Sequence, residues 1–188
     1  MKRGITSREI FSTDFHDILY SQVISLLGGM IAGIVLAVYT DKLLLIPGML
    51  ILLPGFLEMR GNISGSFASR ISSGLFVGVV RPQTHHLTKL FKGNITASFA
   101  LAIIVSLSLG VIAFIFNYLT LRVVALQLIY IPLIAGVIAN AIEIPLALFF
   151  TVYFFKKGHD PNNIIGPFIT STADISSIIA LLIALVIV

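Results

Sequence analysis

The chain has 188 residues, of which 57% are hydrophobic and 11% charged, and its mean hydropathy is +1.07. Water-soluble domains carry about a quarter charged residues and under half apolar ones, so the composition excludes one and points to a polytopic membrane protein. No cysteine means no disulfide framework, thiolate metal site or thiol nucleophile. The net charge of +4 comes without charge runs, which leaves nucleic-acid binding without a footprint.

Residues 1–20 are mixed and charged, with Lys2, Arg3, Arg8, Glu9, Asp14 and Asp17. A secretory signal would follow its basic head directly with an apolar run. Here acids intervene, so the segment reads as an uncleaved cytoplasmic or interfacial N-terminal stretch. It forms either a short amphipathic helix through Ile10, Phe11, Asp14, Ile18 and Leu19 or a disordered lead-in.

Residues 21–188 then read as a five-helix transmembrane domain. Hydrophobic blocks run from about 23 to 39, 43 to 80, 95 to 118, 123 to 155 and 161 to 188. A span needs about 20 residues, so the second block either extends beyond the bilayer or breaks near Gly61-Asn62. The fourth block, with Pro132 and Pro145, poses the same choice.

Basic residues set the expected orientation. With the N-terminus inside, Lys2, Arg3, Arg8, Arg81, Lys89, Lys92, Lys156 and Lys157 lie inside, and only Lys42 and Arg122 lie outside. The expectation is an all-α, multi-pass protein of the cell membrane, with five spans, a cytoplasmic N-terminus and an external C-terminus.

Ionisable residues within spans are functional candidates by default; here they are Glu58, Glu143 and Asp174. Glu58, Asn62, Ser66, Ser69 and Ser73 recur at helical spacing and share one face. The serines alone suit helix packing, as do Gly29-x-x-x-Gly33, Gly61-x-x-x-Gly65 and Gly74-x-x-x-Gly78. With Glu58 and Asn62 the stripe tilts toward an ion or polar-solute path. Arg60 and Arg70 read as snorkelling anchors rather than counter-ions to Glu58.

The fifth block opens with Asp160-Pro161, an N-cap followed by a proline at the first helical position. Thr170, Asp174 and Ser177 share a face, with Ser171 beside it. Asp174 falls about 20 Å along this helix, near mid-bilayer. An ion path is the reading favoured for it over a pair with Arg60, Arg70 or Arg122. Glu143, one helical step from Asn140, either lines an inner vestibule or is a buried protonated acid. His85, His86 and His159 read as solvated loop residues, and the sequons at Asn62 and Asn94 are discounted. Carboxylate, hydroxyl, amide and backbone oxygens suit hard cations, Mg²⁺ first. They do not separate Mg²⁺ from Na⁺, H⁺ or a cationic solute.

The segment from Pro54-Gly55-Phe56-Leu57-Glu58-Met59-Arg60-Gly61-Asn62 through Ser66-Phe67-Ala68-Ser69-Arg70 resembles the second-helix motif of MgtE-type magnesium transporters. It is closer still to their eukaryotic solute-carrier relatives. The segment from Asp160-Pro161-Asn162-Asn163-Ile164-Ile165-Gly166-Pro167 through Thr170-Ser171-Thr172-Ala173-Asp174 is similar to the fifth-helix motif of that superfamily. The resemblance implies a homodimer with a cation path on the two-fold axis, between second and fifth helices. It implies that Asp174 is the pore carboxylate supplied once by each protomer, that Thr170 contributes backbone oxygen, and that Gly61 and Asn62 are the Gly-Asn signature. Two features depart from the family. Gly166 stands where bacterial channel members carry Asn, and no counterpart of their magnesium-sensing domains is read here, so gating is expected to work without them.

The expected function is therefore divalent-cation transport, Mg²⁺ preferred, by a homodimer in the lipid bilayer. Asp174, Thr170, Asn62, Glu58, Ser66, Ser171 and Glu143 are the candidate ion-handling residues. Mg²⁺ is cargo rather than cofactor, and flow is channel-like or coupled to Na⁺ or H⁺ through Glu58 and Glu143. The rival is a non-transporting scaffold or assembly subunit. An enzyme is not expected, since neither His-Glu-x-x-His nor Gly-x-Ser-x-Gly occurs. An organic-cation carrier is disfavoured by the absence of tryptophan and of an aromatic cage.

Overall fold

A computed structural model describes residues 7–80 and 89–188, which form five helices: α1 Ser7–Leu43, α2 Met49–Phe76, α3 Lys89–Leu121, α4 Gln127–Lys156 and α5 Pro161–Ile187. Lys2, Arg3, Arg81, His85 and His86, used in the charge and loop readings, lie outside the described residues. Helix α1 runs unbroken from Ser7 through the first apolar block.

Four of the helices are long and apolar enough to cross a membrane, over Phe15–Leu43, Phe91–Leu121, Gln127–Lys156 and Pro161–Ile187. Helix α2 has 28 residues, and so the length, but it carries Glu58, Arg60, Asn62, Arg70 and a run of serines.

Local chemistry sets the helix ends. Asp160 caps α5, its carboxylate accepting the Asn162 N–H at 2.9 Å, with Pro161 at the first helical position. Gly48 precedes α2 at φ 84. A side chain there would be strained by the left-handed backbone and would also collide with Asn117. Asn117 in turn donates to the Val123 carbonyl at 2.9 Å, tying the end of α3 to the α3–α4 loop.

Of the two options for the second block, the helix is continuous across Gly61-Asn62. Likewise α4 passes through Pro132 and Pro145, and α5 through Pro167. A proline inside a helix leaves the carbonyl four residues earlier without its N–H, and neighbouring helices can accommodate that group in a membrane. The carbonyl freed by Pro167 is that of Asn163, and Ser21 of α1 donates to it at 3.2 Å. The carbonyl freed by Pro132 is that of Leu128, and Gly110 of α3 lies directly against it.

Helix α5 is central, packing on α1, α2 and α4, while α1 packs chiefly on α5. Chain ends alternate along the bundle. At one end Phe76 meets Phe155, and His159 Nδ1 lies 3.2 Å from Asp17 Oδ2. At the other end Asn117 meets Gly48, and Val188 lines a groove with Val124 and Tyr130.

The core divides into two apolar clusters. One gathers Leu52, Phe56, Ile131, Ala135 and Leu181; the other gathers Phe67, Ile71, Ala147, Ile165 and Ile169. Leu26, Met30 and Ile34 of α1 and Ile104, Ile112 and Phe116 of α3 are exposed, as lipid-facing residues would be. A Cβ at Gly29 or Gly33, both expected to pack, would meet no neighbour among the described residues.

Candidate functional site

On α2, Glu58, Asn62, Ser66, Ser69 and Ser73 are all exposed on the protomer surface. The spacing predicted one face, and the face is left uncovered by the other four helices. Asn62 Nδ2 donates to Glu58 Oε1 at 3.1 Å, joining successive turns.

Helix α5 runs alongside. Gly61 is buried against it, and a Cβ added to Gly61 would lie 3.3 Å from Thr170 Cγ2. The lack of a side chain at Gly61 therefore sets how near the two helices come. Thr170 is exposed and turns its hydroxyl back to the Pro167 carbonyl at 2.9 Å. One turn on, Asp174 is half-buried, and its carboxylate makes no hydrogen bond or ion pair among the described residues.

Toward the start of α5, a cleft of about 160 Å³ opens between the two helices, lined in part by Gly65, Ser69, Ser72, Asn162 and Gly166. Ser72 is buried there, and its hydroxyl has no partner among the described residues.

Two of the candidate residues point elsewhere. Ser171 is buried against α1, where its Cβ and hydroxyl fill the space left by Gly28, and it donates to the Phe168 carbonyl at 3.0 Å. Glu143 lies behind the exposed face in a closed polar cluster. Its Oε2 accepts from Arg60 Nη2 at 3.3 Å and from Ser64 Oγ, and its Oε1 accepts from Ser176 Oγ. Arg60 Nη1 also donates to Asn140 Oδ1 at 3.2 Å.

Arg60 is 0% exposed, so it is no snorkelling anchor; it is the counter-ion of Glu143, not of Glu58. In sequence Arg60 sits two residues past Glu58, about 200° around a helix, which turns the two side chains to opposite sides. Arg70, by contrast, is exposed and lines a groove with Ser69, Ser73 and Asn94. Among the described residues Asp174 has no arginine partner. Ser64, Ser176 and the role of Asn140 escaped the reading of the sequence; the available signal was Arg60 and Ser64 four apart on the side of α2 away from the stripe.

Among the described residues, no group of three or more His, Asp or Glu is placed to hold a metal ion. The oxygens of Glu58, Asn62 and Ser66 instead line an open face of the protomer.

The protein-family comparison matches residues 53–184 to MgtE, described as a divalent cation transporter. The match takes in nearly all of α2 and the whole of α3 and α4, together with α5 as far as Ala184. Neither the curated proteins nor the solved structures yield a match. Four apolar helices of membrane-crossing length agree with a multi-pass membrane protein. The chain belongs to the MgtE family of divalent cation transporters.

Proposed function

We propose that the chain carries divalent cations, Mg²⁺ in preference, as a homodimer whose path runs between the α2 and α5 faces of two copies. In this reading α2 is the fifth span, the N-terminus is cytoplasmic and the C-terminus external. The observation that supports it most is the exposed stripe of Glu58, Asn62 and Ser66 beside an unpaired Asp174. A polar, ionisable face cannot be left against lipid without a large cost. A second copy applied to the same face covers it.

That covering brings two Asp174 and two Glu58 carboxylates toward one axis. Like charges there repel, so the assembled face calls for a cation. Mg²⁺ binds one or two carboxylates and keeps several waters, which suits one Asp174 from each protomer. Thr170, Asn62 and Ser66 offer oxygens that replace part of the hydration shell, as in selectivity filters. Glu58, already bonded to Asn62, is the coupling candidate if flow is tied to Na⁺ or H⁺.

Mg²⁺ uptake into proteoliposomes loaded with a Mg²⁺-sensitive dye tests the proposal. Wild type is expected to carry flux and Asp174→Asn to lose it, and dependence on an opposing Na⁺ gradient identifies an exchanger. Equal flux in both would remove Asp174 from the path. No flux from folded, inserted wild type would leave a scaffold.

A further inference from the structure

We propose that Glu143 is a positioning residue: with its charge balanced by Arg60, it holds one serine from each path-lining helix and so sets the spacing between Asn62 and Asp174. The inference rests on the cation path proposed above, and it gives a role to a buried carboxylate that the path does not touch.

The geometry is a clamp behind the face. Ser64 of α2 and Ser176 of α5 donate to the two different oxygens of the same Glu143 carboxylate. Ser64 lies two residues past Asn62, and Ser176 lies two residues past Asp174. Two residues turn a helix by about 200°, so on both helices the clamped serine backs the residue that faces the path.

The carboxylate is fixed in its turn. Arg60, on α2, bonds both Glu143 and Asn140, which stand one turn apart on α4. Glu143 is 1% exposed and Arg60 0%, so water does not compete for these bonds. Gly61, about 60° around α2 from Ser64, lets Thr170 come close. The separation of α2 and α5 is therefore held by Glu143 behind the path and limited at Gly61, where the two helices touch.

Spacing matters because cations are separated by it. Oxygen ligands sit about 2.0–2.1 Å from Mg²⁺ and about 2.3–2.6 Å from Ca²⁺. A few tenths of an ångström in the gap between the path faces decides which ion is well coordinated. A clamp of this kind acts on selectivity, whereas a merely structural ion pair acts on stability alone. Partners that orient metal-handling groups from behind typically change affinity or activity by about 10- to 100-fold when removed.

The test compares Mg²⁺ and Ca²⁺ flux in proteoliposomes for wild type, Ser64→Ala, Ser176→Ala, the double variant and Asp174→Asn. Thermal unfolding in detergent is followed in parallel. The serine variants leave the Arg60–Glu143 pair in place, and the single variants decide the matter if the double fails to fold. The expected result is a Mg²⁺:Ca²⁺ flux ratio lowered about tenfold, beyond anything the change in melting temperature accounts for. A lowered melting temperature with a wild-type ratio would overturn the clamp and leave a structural role only. Asp174→Asn separates the two claims. If it abolishes flux while the serine variants keep the wild-type ratio, the clamp alone fails; if it conducts as wild type, the path and the clamp fall together.

Discussion

Arg60 of α2 and Glu143 of α4 meet at 3.3 Å, and neither side chain reaches the protein surface. Buried pairs are costly to form, and breaking one costs more, because a charge is then left without compensation. Glu143→Ala would leave the buried Arg60 charge uncompensated, with Asn140 still accepting from it, and a loss of about 3–5 kcal/mol in unfolding free energy is expected. Adding Arg60→Met should recover most of it. Unfolding of the purified protein in detergent, single against double variant, checks this; equal destabilisation in both would contradict it.

Close approach of α3 to α4 depends on Gly110. A Cβ there would sit 2.8 Å from the Leu128 carbonyl oxygen and 2.9 Å from Ile129 Cα, backbone atoms that cannot swing aside. Gly110→Ala is expected to destabilise by about 1–3 kcal/mol through overpacking. Gly29→Ala and Gly33→Ala, where a Cβ would meet nothing among the described residues, are the matched controls and should not destabilise the monomer, since alanine is the better helix former. Thermal unfolding of the three variants makes the comparison.

The start of α5 offers a smaller, local test. Asp160→Ala removes the acceptor for the Asn162 N–H and is expected to cost about 1 kcal/mol. Hydrogen exchange should rise at the first turn of α5 and nowhere else.

Much of this architecture is legible from residue order because its causes are local. Apolar blocks, the Asp160-Pro161 start of α5 and the four-residue spacing of the α2 stripe all depend on neighbours in sequence. The direction of Arg60 is not legible in that way. Its partners, Glu143 and Asn140, are 80 or more residues distant, and only the packing of α2 on α4 selects them over Glu58. The continuity of α2 was one of two options the sequence left open. Gly61 and Asn62 look like a break in isolation, but Gly61 is buried against Thr170 and Asn62 is bonded to Glu58, so the helix loses nothing by continuing. The same holds for Ser171, one residue from Thr170 yet turned toward α1 by the space at Gly28.

The proposed dimer arrangement can be tested directly because the chain has no cysteine. A single cysteine at Ser66→Cys, on the exposed α2 face, is expected to cross-link two copies with a short thiol reagent in membranes. Ile104→Cys, exposed on α3, should not. Cross-linking at position 104 with none at 66 would place the interface on α3 instead.

The central claim is that two copies share one ion through a pair of Asp174 carboxylates. Counting bound Mn²⁺, a paramagnetic stand-in for Mg²⁺, against protein concentration tests it most directly. The account predicts one Mg²⁺-displaceable ion per two chains, and none in Asp174→Asn. One ion per chain, or the same binding in Asp174→Asn, would contradict it.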